Sequence, residues 1–335
     1  MRDRRNWRLL AGILAGFALA VPVCAVAGEY PSKPVRMVVP FAPGGTTDIV
    51  ARVVAQKLSD LWNKQVVIDN RGGAGGSLGT ELAAKASPDG YTLLFGLQTT
   101  HAINPAVYKN LPFDPIKDFA PVTRVAYSPQ LLAVHPSVPA ATLKEFVALA
   151  KTAPGRYSYG SSGTGTAQHL AFELFKRAAG INLVHVPYKG MGPATTELIG
   201  GHVQAAIGGV VALLPHVKSG KLRAIAMAST SRSTVVPDVP TMAESVLPGF
   251  SVSPWFGLFY PRGTPAAIVD QLYADVIQKV LSAPDVRQRI VEQGAEVAPS
   301  ASKKEFAAFV ANENALWGKV VREVMSAQSN AEGKQ

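Results

Sequence analysis

The sequence predicts an α/β protein of two lobes, each a mixed sheet flanked by helices, with two hinge crossovers between the lobes. Three observations lead to this fold class. From Val35 onward, short β-branched runs alternate with stretches of helical periodicity, which is typical of a sheet with helices on its faces. The alternation comes in two series of similar size that meet near Pro121. After Tyr260 the chain is helical and has no strands of its own to cover.

The first residues have the pattern of an export signal. Four arginines lie between Met1 and Arg8, and an apolar stretch from Leu9 ends in the small residues Ala25-Val26-Ala27. We therefore expect cleavage after Ala27 and secretion of the remaining chain. Two alternatives stay open: the apolar stretch is just long enough for a permanent membrane anchor, and Cys24 is a candidate for a lipid anchor.

Composition excludes several classes of protein. Cys24 is the only cysteine, so the secreted chain has no disulfide or thiolate chemistry. The formal charge is +10, and it remains positive without the signal segment, which favours acidic small molecules or anionic surfaces as partners. Lysine and arginine are scattered singly rather than in basic runs, which argues against nucleic acid. Nothing after Ala27 is long and apolar enough to span a membrane.

The first series predicts the order βαβαβ. Its strands are residues 35–39, 66–68 and 91–95, and its helices are residues 47–61 and 78–86. The first helix has one apolar face, formed by Ile49, Val50, Val53, Val54, Leu58 and Leu61.

The second series predicts five more strands with helices between them. The strands are 131–135, 157–159, 183–186, 203–207 and 222–227, and the helices are 142–152, 166–179, 193–199 and a short one ending at 217. Residues 229–250 are irregular, and residues 254–260 form a strand. In the tail, Ser302 and Glu305 are spaced as a capping box for a last helix.

The tail helices are expected to return to the first lobe, so the chain would cross between the lobes twice, near residues 122–128 and 250–256. The predicted organisation is therefore a signal peptide at 1–27, lobe 1 at 28–124 and 254–330, and lobe 2 at 125–253. Two lobes joined by two hinge strands can close around a ligand.

Two glycine-rich loops, one in each lobe, follow a strand and open a helix. They are Phe41–Asp48 and Gly160–Thr166. Their glycines allow close approach of the backbone to a ligand, and the helix starts offer free N–H groups and a positive dipole end, which suit an anion. Such loops lie beyond the carboxyl ends of the strands, where open α/β sheets bind ligands. The alternative is that the glycines and hydroxyls only build turns and caps.

Two further loops were considered. In residues 187–193, Tyr188 offers a hydrogen-bond donor, while Lys189 either adds charge or is an ordinary surface lysine. Residues 69–76 are the most glycine-dense of all, but they match neither GxGxxG nor GxxxxGK[ST], so nucleotide binding has no support.

Enzyme motifs are absent or broken. The histidines include no HExxH and no pair at helical ligand spacing, so we expect no metal and no cofactor. Gly160 and Ser162 begin a GxSxG pattern, but Thr164 stands at its last position. His169 has no companion acid evident in the sequence, so no catalytic residue is proposed.

Several short motifs occur in a characteristic order. They are Phe41-Ala42-Pro43-Gly44-Gly45 with Asp48 and Arg52, Asn70-Arg71 with Gly75-Gly76, Pro88-Asp89-Gly90-Tyr91, Asp118-Phe119, Gly160-Ser161-Ser162-Gly163, Val186-Pro187-Tyr188-Lys189-Gly190 and Gly200-Gly201. In these motifs the chain resembles the Bug-type solute receptors of tripartite tricarboxylate transport systems, over nearly its whole secreted length.

The resemblance implies a periplasmic, monomeric protein of the two-lobed periplasmic-binding-protein type II architecture. It implies a small carboxylate ligand held between the two loops, and permease subunits as partners. Carried over by position, the ligand-binding residues are Ala42, Pro43, Gly44, Gly45, Thr46, Asp48, Thr99, Ser161, Ser162, Thr164, Gly165, Thr166, His169 and Tyr188. Asp48 is expected to brace its loop rather than to contact an anion, because like charges repel.

The resemblance leaves specificity open. Gln204 stands where the family commonly has aspartate, which makes an amino-acid ligand less expected than a plain carboxylate. Specificity is expected from residues 97–104, Tyr188 and Trp255. Three alternatives were weighed: a receptor that presents its ligand to a sensor kinase, an exported enzyme acting on a carboxylic acid or ester, and the effector domain of a transcription regulator.

Overall fold

Two mixed sheets with helices on their faces make up the computed structural model. It describes residues 30–229, 232–233 and 235–332, with side chains as far as Arg322. The signal peptide predicted at 1–27 lies outside the described residues.

The strands are β1 (Val35–Val39), β2 (Val66–Asn70), β3 (Thr92–Leu97), β4 (Phe119–Tyr127), β5 (Gln130–Val134), β6 (Ser158–Ser161), β7 (Val184–Pro187), β8 (Ala205–Gly209), β9 (Arg223–Met227), β10 (Trp255–Pro261) and β11 (Glu296–Val297). The helices are α1 (Thr46–Trp62), α2 (Ser77–Ala84), α3 (Asn104–Val107), α4 (Leu143–Thr152), α5 (Ala167–Ala179), α6 (Met191–Ile199), α7 (Val210–Lys218), α8 (Met242–Ser245), α9 (Ala266–Asp275), α10 (Pro284–Glu292) and α11 (Lys303–Glu332). One π-helical segment, Thr99–Ile103, precedes α3, and another, Val276–Val280, continues α9.

The first sheet has the strand order β11-β4-β10-β3-β1-β2. Strands β1, β2 and β3 are parallel, whereas β10 runs antiparallel to both β3 and β4. The apolar face of α1 packs on this sheet through Val50, Val54 and Leu58. The predicted βαβαβ run therefore forms half of a mixed sheet, which β4 from the middle of the chain and β10 and β11 from its C-terminal part complete.

The second sheet has the strand order β7-β6-β8-β5-β9. Strands β6, β7 and β8 are parallel, and β5 is antiparallel to its neighbours. One core cluster packs α5 against this sheet through Leu170 and Phe172, and another packs α6 through Met191 and Leu198. Two mixed sheets of this kind confirm the predicted α/β fold class.

The chain passes from one sheet to the other twice. The first passage lies between β4 and β5, and the second leads into β10. They meet where Ser128 N–H donates to the Pro254 carbonyl oxygen at 2.7 Å. Strand β4 keeps residues 125–127, which were assigned to lobe 2, within the first sheet.

Helix α11 contacts both lobes, whereas the tail was expected on the first lobe alone. Phe306 and Val310 lie in a cluster with residues of the first sheet, and Trp317 and Val321 lie in the core of the second lobe. Residues Ala102 and Ile103 also pack in that second core, although the chain is within lobe 1 at this point. Two segments outside the hinge strands therefore bridge the lobes.

The buried His101 makes stability depend on pH. Its ring stacks on Phe259 with centroids 4.0 Å apart, and burial lowers its pKa from 6.5 to about 3. Below pH 6.5 the unfolded chain takes up this proton while the folded chain does not. Folding stability should therefore fall, by up to about 1.4 kcal/mol per pH unit, as the pH drops toward 3.

The variant His101→Phe keeps an aromatic ring at this position and removes the titration. Urea unfolding at pH 7 and pH 4.5 should show a smaller acid-induced loss of stability in His101→Phe than in the unmodified chain, by about 2 kcal/mol. Equal losses of folding stability in the two proteins would contradict the assignment of this pH dependence to His101.

Candidate ligand-binding site

A narrow pocket lies between the lobes. The described lining combines apolar and uncharged polar side chains and contains no charged one. It consists of Phe41, Gly45, Thr46, Thr47, Leu97, Thr99, Ser162, Gln168, Met191, Pro254 and Phe256. Five separate segments thus meet at the pocket, two of them from the second lobe.

The start of helix α1 forms one wall. Gly45 is its N-cap residue and has no side chain to cap the helix. The first N–H groups of a helix have no partner within the helix, and no side chain caps those of α1. The Thr46 hydroxyl is also without a partner among the described residues, although Thr46 is only 6% exposed. Buried donors of this kind at the positive end of a helix favour an anionic acceptor.

Asp48 braces this wall from behind. Its carboxylate accepts hydrogen bonds from Gly44 N–H, Arg52 Nε and Asn70 Nδ2, each at 3.0 Å. Burial alone would raise the pKa of Asp48, but these donors outweigh burial and hold it below its ordinary value. The negative charge is therefore neutralised within its own lobe.

The second lobe contributes the loop between β6 and α5. Thr166 caps α5: its hydroxyl accepts from His169 N–H and donates to the Gly163 carbonyl oxygen at 2.7 Å. The Ser162 hydroxyl donates to Gln168 Oε1 at 2.7 Å, and both residues line the pocket. Gln168 Nε2 in turn donates to Gln130 Oε1. This wall consists of connected, uncharged polar groups.

A buried polar cluster lies behind the second loop. Ser161 Oγ is 2.6 Å from His185 Nε2, and the His185 ring stacks on that of His169 with centroids 4.1 Å apart. His169 Nδ1 accepts from Gly165 N–H at 3.1 Å, so this nitrogen carries no proton. Burial lowers the pKa of both histidines, that of His185 to about 4. The neutral rings hold the loop in shape.

Four of the expected ligand-binding residues line the pocket: Gly45, Thr46, Thr99 and Ser162. Ala42, Pro43 and Gly44 lie beside it and face the second lobe. Thr164 and Tyr188 border a second, neighbouring space, which shares Ser162 with the pocket. Ser161, Gly165, Thr166 and His169 shape their loop from behind, as Asp48 does for the first loop.

Other lining residues had not been singled out from the sequence. Gln168 lies in the first turn of α5, two residues after the capping Thr166, and this position could have suggested it. Pro254 and Phe256 flank Trp255, so the alternation of a strand explains why they line the pocket while Trp255 is turned away from it. Met191 is the first residue of α6, and no sequence pattern marks it as a pocket residue.

Gln204 lies away from the pocket. It precedes β8, whose opposite end at Gly209 contacts Thr46. Its side chain accepts from Ser158 N–H at 2.9 Å and donates to the Gly201 carbonyl oxygen at 3.0 Å. Gln204 therefore does not contact a ligand in this pocket, because its side chain is engaged within its own lobe.

The two lobes touch through backbone. Ala42 N–H donates to the Lys189 carbonyl oxygen at 3.1 Å, and Ala167 N–H donates to Thr99 Oγ1 at 3.2 Å. A Cβ atom built on Gly192 would overlap the carbonyl oxygen of Pro43. Glycine is therefore required at 192 by the close approach of the lobes.

Within the described ranges, no group of three or more His, Cys, Asp and Glu residues is placed to hold a metal ion. No helix in the same ranges is both long enough and apolar enough to cross a bilayer.

Two mixed α/β lobes that close on a pocket of apolar and uncharged polar side chains have the architecture of a solute-binding protein. A family model described as "Tripartite tricarboxylate transporter family receptor" matches residues 50–325, and the chain belongs to this family. The resemblance to Bug-type receptors is thereby confirmed.

Individual relatives agree over most of the chain. Protein BugT of Bordetella pertussis is 39% identical over 320 residues, which cover 94% of this chain and 97% of BugT. The structure of R. palustris Rpa4515 with adipate is 35% identical, with a TM-score of 0.84 over 88% of this chain and 98% of that one. The structure of MatC from Rhodopseudomonas palustris with bound malate is 36% identical, with a TM-score of 0.81 over 87% of this chain and 100% of that one.

The variant Gly192→Ala should separate closure from stability. The added methyl group meets Pro43 only when the lobes are closed, whereas alanine near a helix start favours the helix by up to about 1 kcal/mol. We expect unchanged or higher thermal stability together with at least about tenfold weaker solute binding by calorimetry.

Gly318→Ala in α11 is the matched control, since a Cβ there has ordinary contacts at 3.5 Å and more. It should leave solute binding unchanged. If Gly192→Ala binds the solute as tightly as the unmodified chain, the closed contact at Pro43 is not required.

Proposed function

We propose that this chain is a periplasmic receptor that captures a small carboxylate between its lobes for uptake by a tripartite tricarboxylate-type transporter. One observation carries the proposal. The hydroxyl of Thr46 is buried without a partner at the first turn of α1, beside the uncapped N–H groups of the helix start, in a pocket between the lobes. A carboxylate oxygen supplies the acceptor that these donors lack.

The rest of the lining suits the body of such a ligand. Phe41, Leu97, Met191 and Phe256 offer apolar surface, and Ser162 offers a hydroxyl opposite α1. With no charged side chain in the described lining, the ligand charge is balanced by helix N-termini and hydroxyls. The relatives with adipate and malate support this class of ligand.

The ligand-binding assignment, the organisation of the chain and the partners belong to this proposal. We propose that lobe 1 comprises residues 28–127 and 254–330 and lobe 2 residues 128–253, because β4 remains in the first sheet as far as Tyr127. We also propose export through the signal peptide at 1–27, and permease subunits as partners of a monomeric receptor. The proposed contacts are Gly45, Thr46, Thr99 and Ser162, with Ala42, Pro43, Gly44, Asp48, Ser161, Thr164, Gly165, Thr166, His169 and Tyr188 forming the loops around them.

The enzyme alternative now rests on one observation, the hydroxyl–imidazole pair of Ser161 and His185 at 2.6 Å. Ser161 has no exposed surface and is not part of the described pocket lining, so it has no access to a solute. Mass spectrometry of a carboxylate ester incubated with the protein decides between the two functions. Recovery of the intact compound supports the receptor, and conversion that is lost in Ser161→Ala supports the enzyme.

The variant Thr46→Val tests the anion site. Valine keeps the shape of threonine and removes the hydroxyl, so we expect carboxylate affinity to fall by about tenfold, the value of one hydrogen bond to a charged group. Stability should not fall, because the Thr46 hydroxyl has no partner to lose. Calorimetric titration with adipate and malate measures the affinity.

Thr195→Val is the matched control. Thr195 is also buried, but its hydroxyl donates to the Met191 carbonyl oxygen within α6 and does not line the pocket. Its affinity should stay within about twofold of the unmodified chain. Equal losses in both variants would mean that Thr46 acts only through packing.

A further inference from the structure

One carboxylate on the C-terminal helix lies behind the pocket. Glu313 is in the part of α11 between Val310, which packs on the first lobe, and Trp317, which packs on the second. No feature of the sequence had singled it out.

Two buried donors converge on a single oxygen of this side chain. Glu313 Oε2 accepts from Gln98 Nε2 at 2.7 Å and from Trp255 Nε1 at 3.0 Å. Gln98 is 4% exposed and Trp255 is fully buried. The neighbouring Asn314 adds a bond from its Nδ2 to the His101 carbonyl oxygen at 3.0 Å. Helix α11 thus holds two distant segments of chain together.

Both segments are walls of the pocket. Gln98 stands between Leu97 and Thr99, and both of these neighbours line the pocket. Trp255 likewise stands between two lining residues, Pro254 and Phe256. In each wall, one side chain points away from the pocket and donates a hydrogen bond to Glu313: Gln98 in one wall and Trp255 in the other. The residues on either side of it line the pocket.

The same segments also connect the lobes. Thr99 accepts the hydrogen bond from the first N–H of α5, and Pro254 accepts one from Ser128 at the hinge. A shift of either segment relative to the other therefore changes both the pocket walls and the angle between the lobes.

We propose that Glu313 is a positioning residue for the ligand pocket: its Oε2 atom joins the 97–99 wall to the 254–256 wall in the geometry needed for closure. The proposal rests on the proposed function for the nature of the ligand. The length of the Glu313 side chain matters more than its charge. Both donors bind to a single oxygen atom, and the amide oxygen of a glutamine can accept the same two hydrogen bonds.

Three variants distinguish the effect of side-chain length at position 313 from the effect of its charge. Glu313→Gln keeps an acceptor at full length, Glu313→Asp keeps the charge but shortens the side chain, and Glu313→Leu removes the acceptor. Adipate and malate are the probes, titrated by calorimetry at a temperature at which each variant is folded. We expect Glu313→Gln to bind like the unmodified chain, and Glu313→Asp and Glu313→Leu to bind more than about threefold more weakly.

Asp275→Leu is the matched control. Asp275 also accepts a bond from an indole, Trp62 Nε1 at 2.8 Å, and is 5% exposed. Trp62 ends α1, about 25 Å along the helix from Thr46 at the pocket. The control should lose stability without losing affinity. A loss of threefold or less in Glu313→Asp and Glu313→Leu, or an equal loss in Asp275→Leu, overturns the proposal.

A measurement without ligand keeps the two proposals distinguishable. Spin labels on Gln56→Cys in α1 and Lys144→Cys in α4 report the distance between the lobes. The distance distribution should be broader in Glu313→Leu than in the unmodified chain and Asp275→Leu. If neither probe binds the unmodified chain, the carboxylate proposal fails, and this comparison alone decides on Glu313: equal widths overturn its role.

Discussion

The start of α1 sets the main physical constraint on this molecule. A helix begins at the interface between two lobes without a side-chain cap, and the Thr46 hydroxyl in its first turn is withdrawn from water without a partner among the described residues. Buried donors without acceptors are costly, and the facing lobe brings further hydroxyls and a helix start rather than a carboxylate. A solute that carries an acceptor resolves this conflict, which links the closed arrangement of the lobes to the capture of an anion.

Several features of the fold serve this constraint. Asp48 is paired within its own lobe, where Arg52 neutralises its charge and Asn70 donates a hydrogen bond, so it adds no repulsive charge to the pocket. Glycine at 192 lets the second lobe approach Pro43 backbone to backbone. Neutral histidines fix the Ser162 loop from behind, and α11 ties the hinge-side walls together. The pocket is thus held by groups that themselves remain outside it.

The sequence predicted the repeating α/β units well because their signals are local. The βαβαβ run and the two glycine-rich loops depend on residues close to one another in the chain. Strand β4 was missed because Pro121 cannot donate to a neighbouring strand and Thr123 and Arg124 interrupt its apolar pattern; Pro121 faces β10 beside a register shift. Met191, Phe256 and Glu313 were missed for a different reason: five segments build the pocket, and no local pattern reveals which of them meet.

The most direct test of the central claim is a thermal-shift screen of the chain from Gly28 onward against small carboxylates, amines and sugars. A ligand at 100 times its dissociation constant adds about 2.7 kcal/mol of stability, which a scan detects readily. The account predicts that carboxylates alone raise the midpoint and that the bound compound is recovered unchanged. Stabilisation by amines or sugars but by no carboxylate would contradict it.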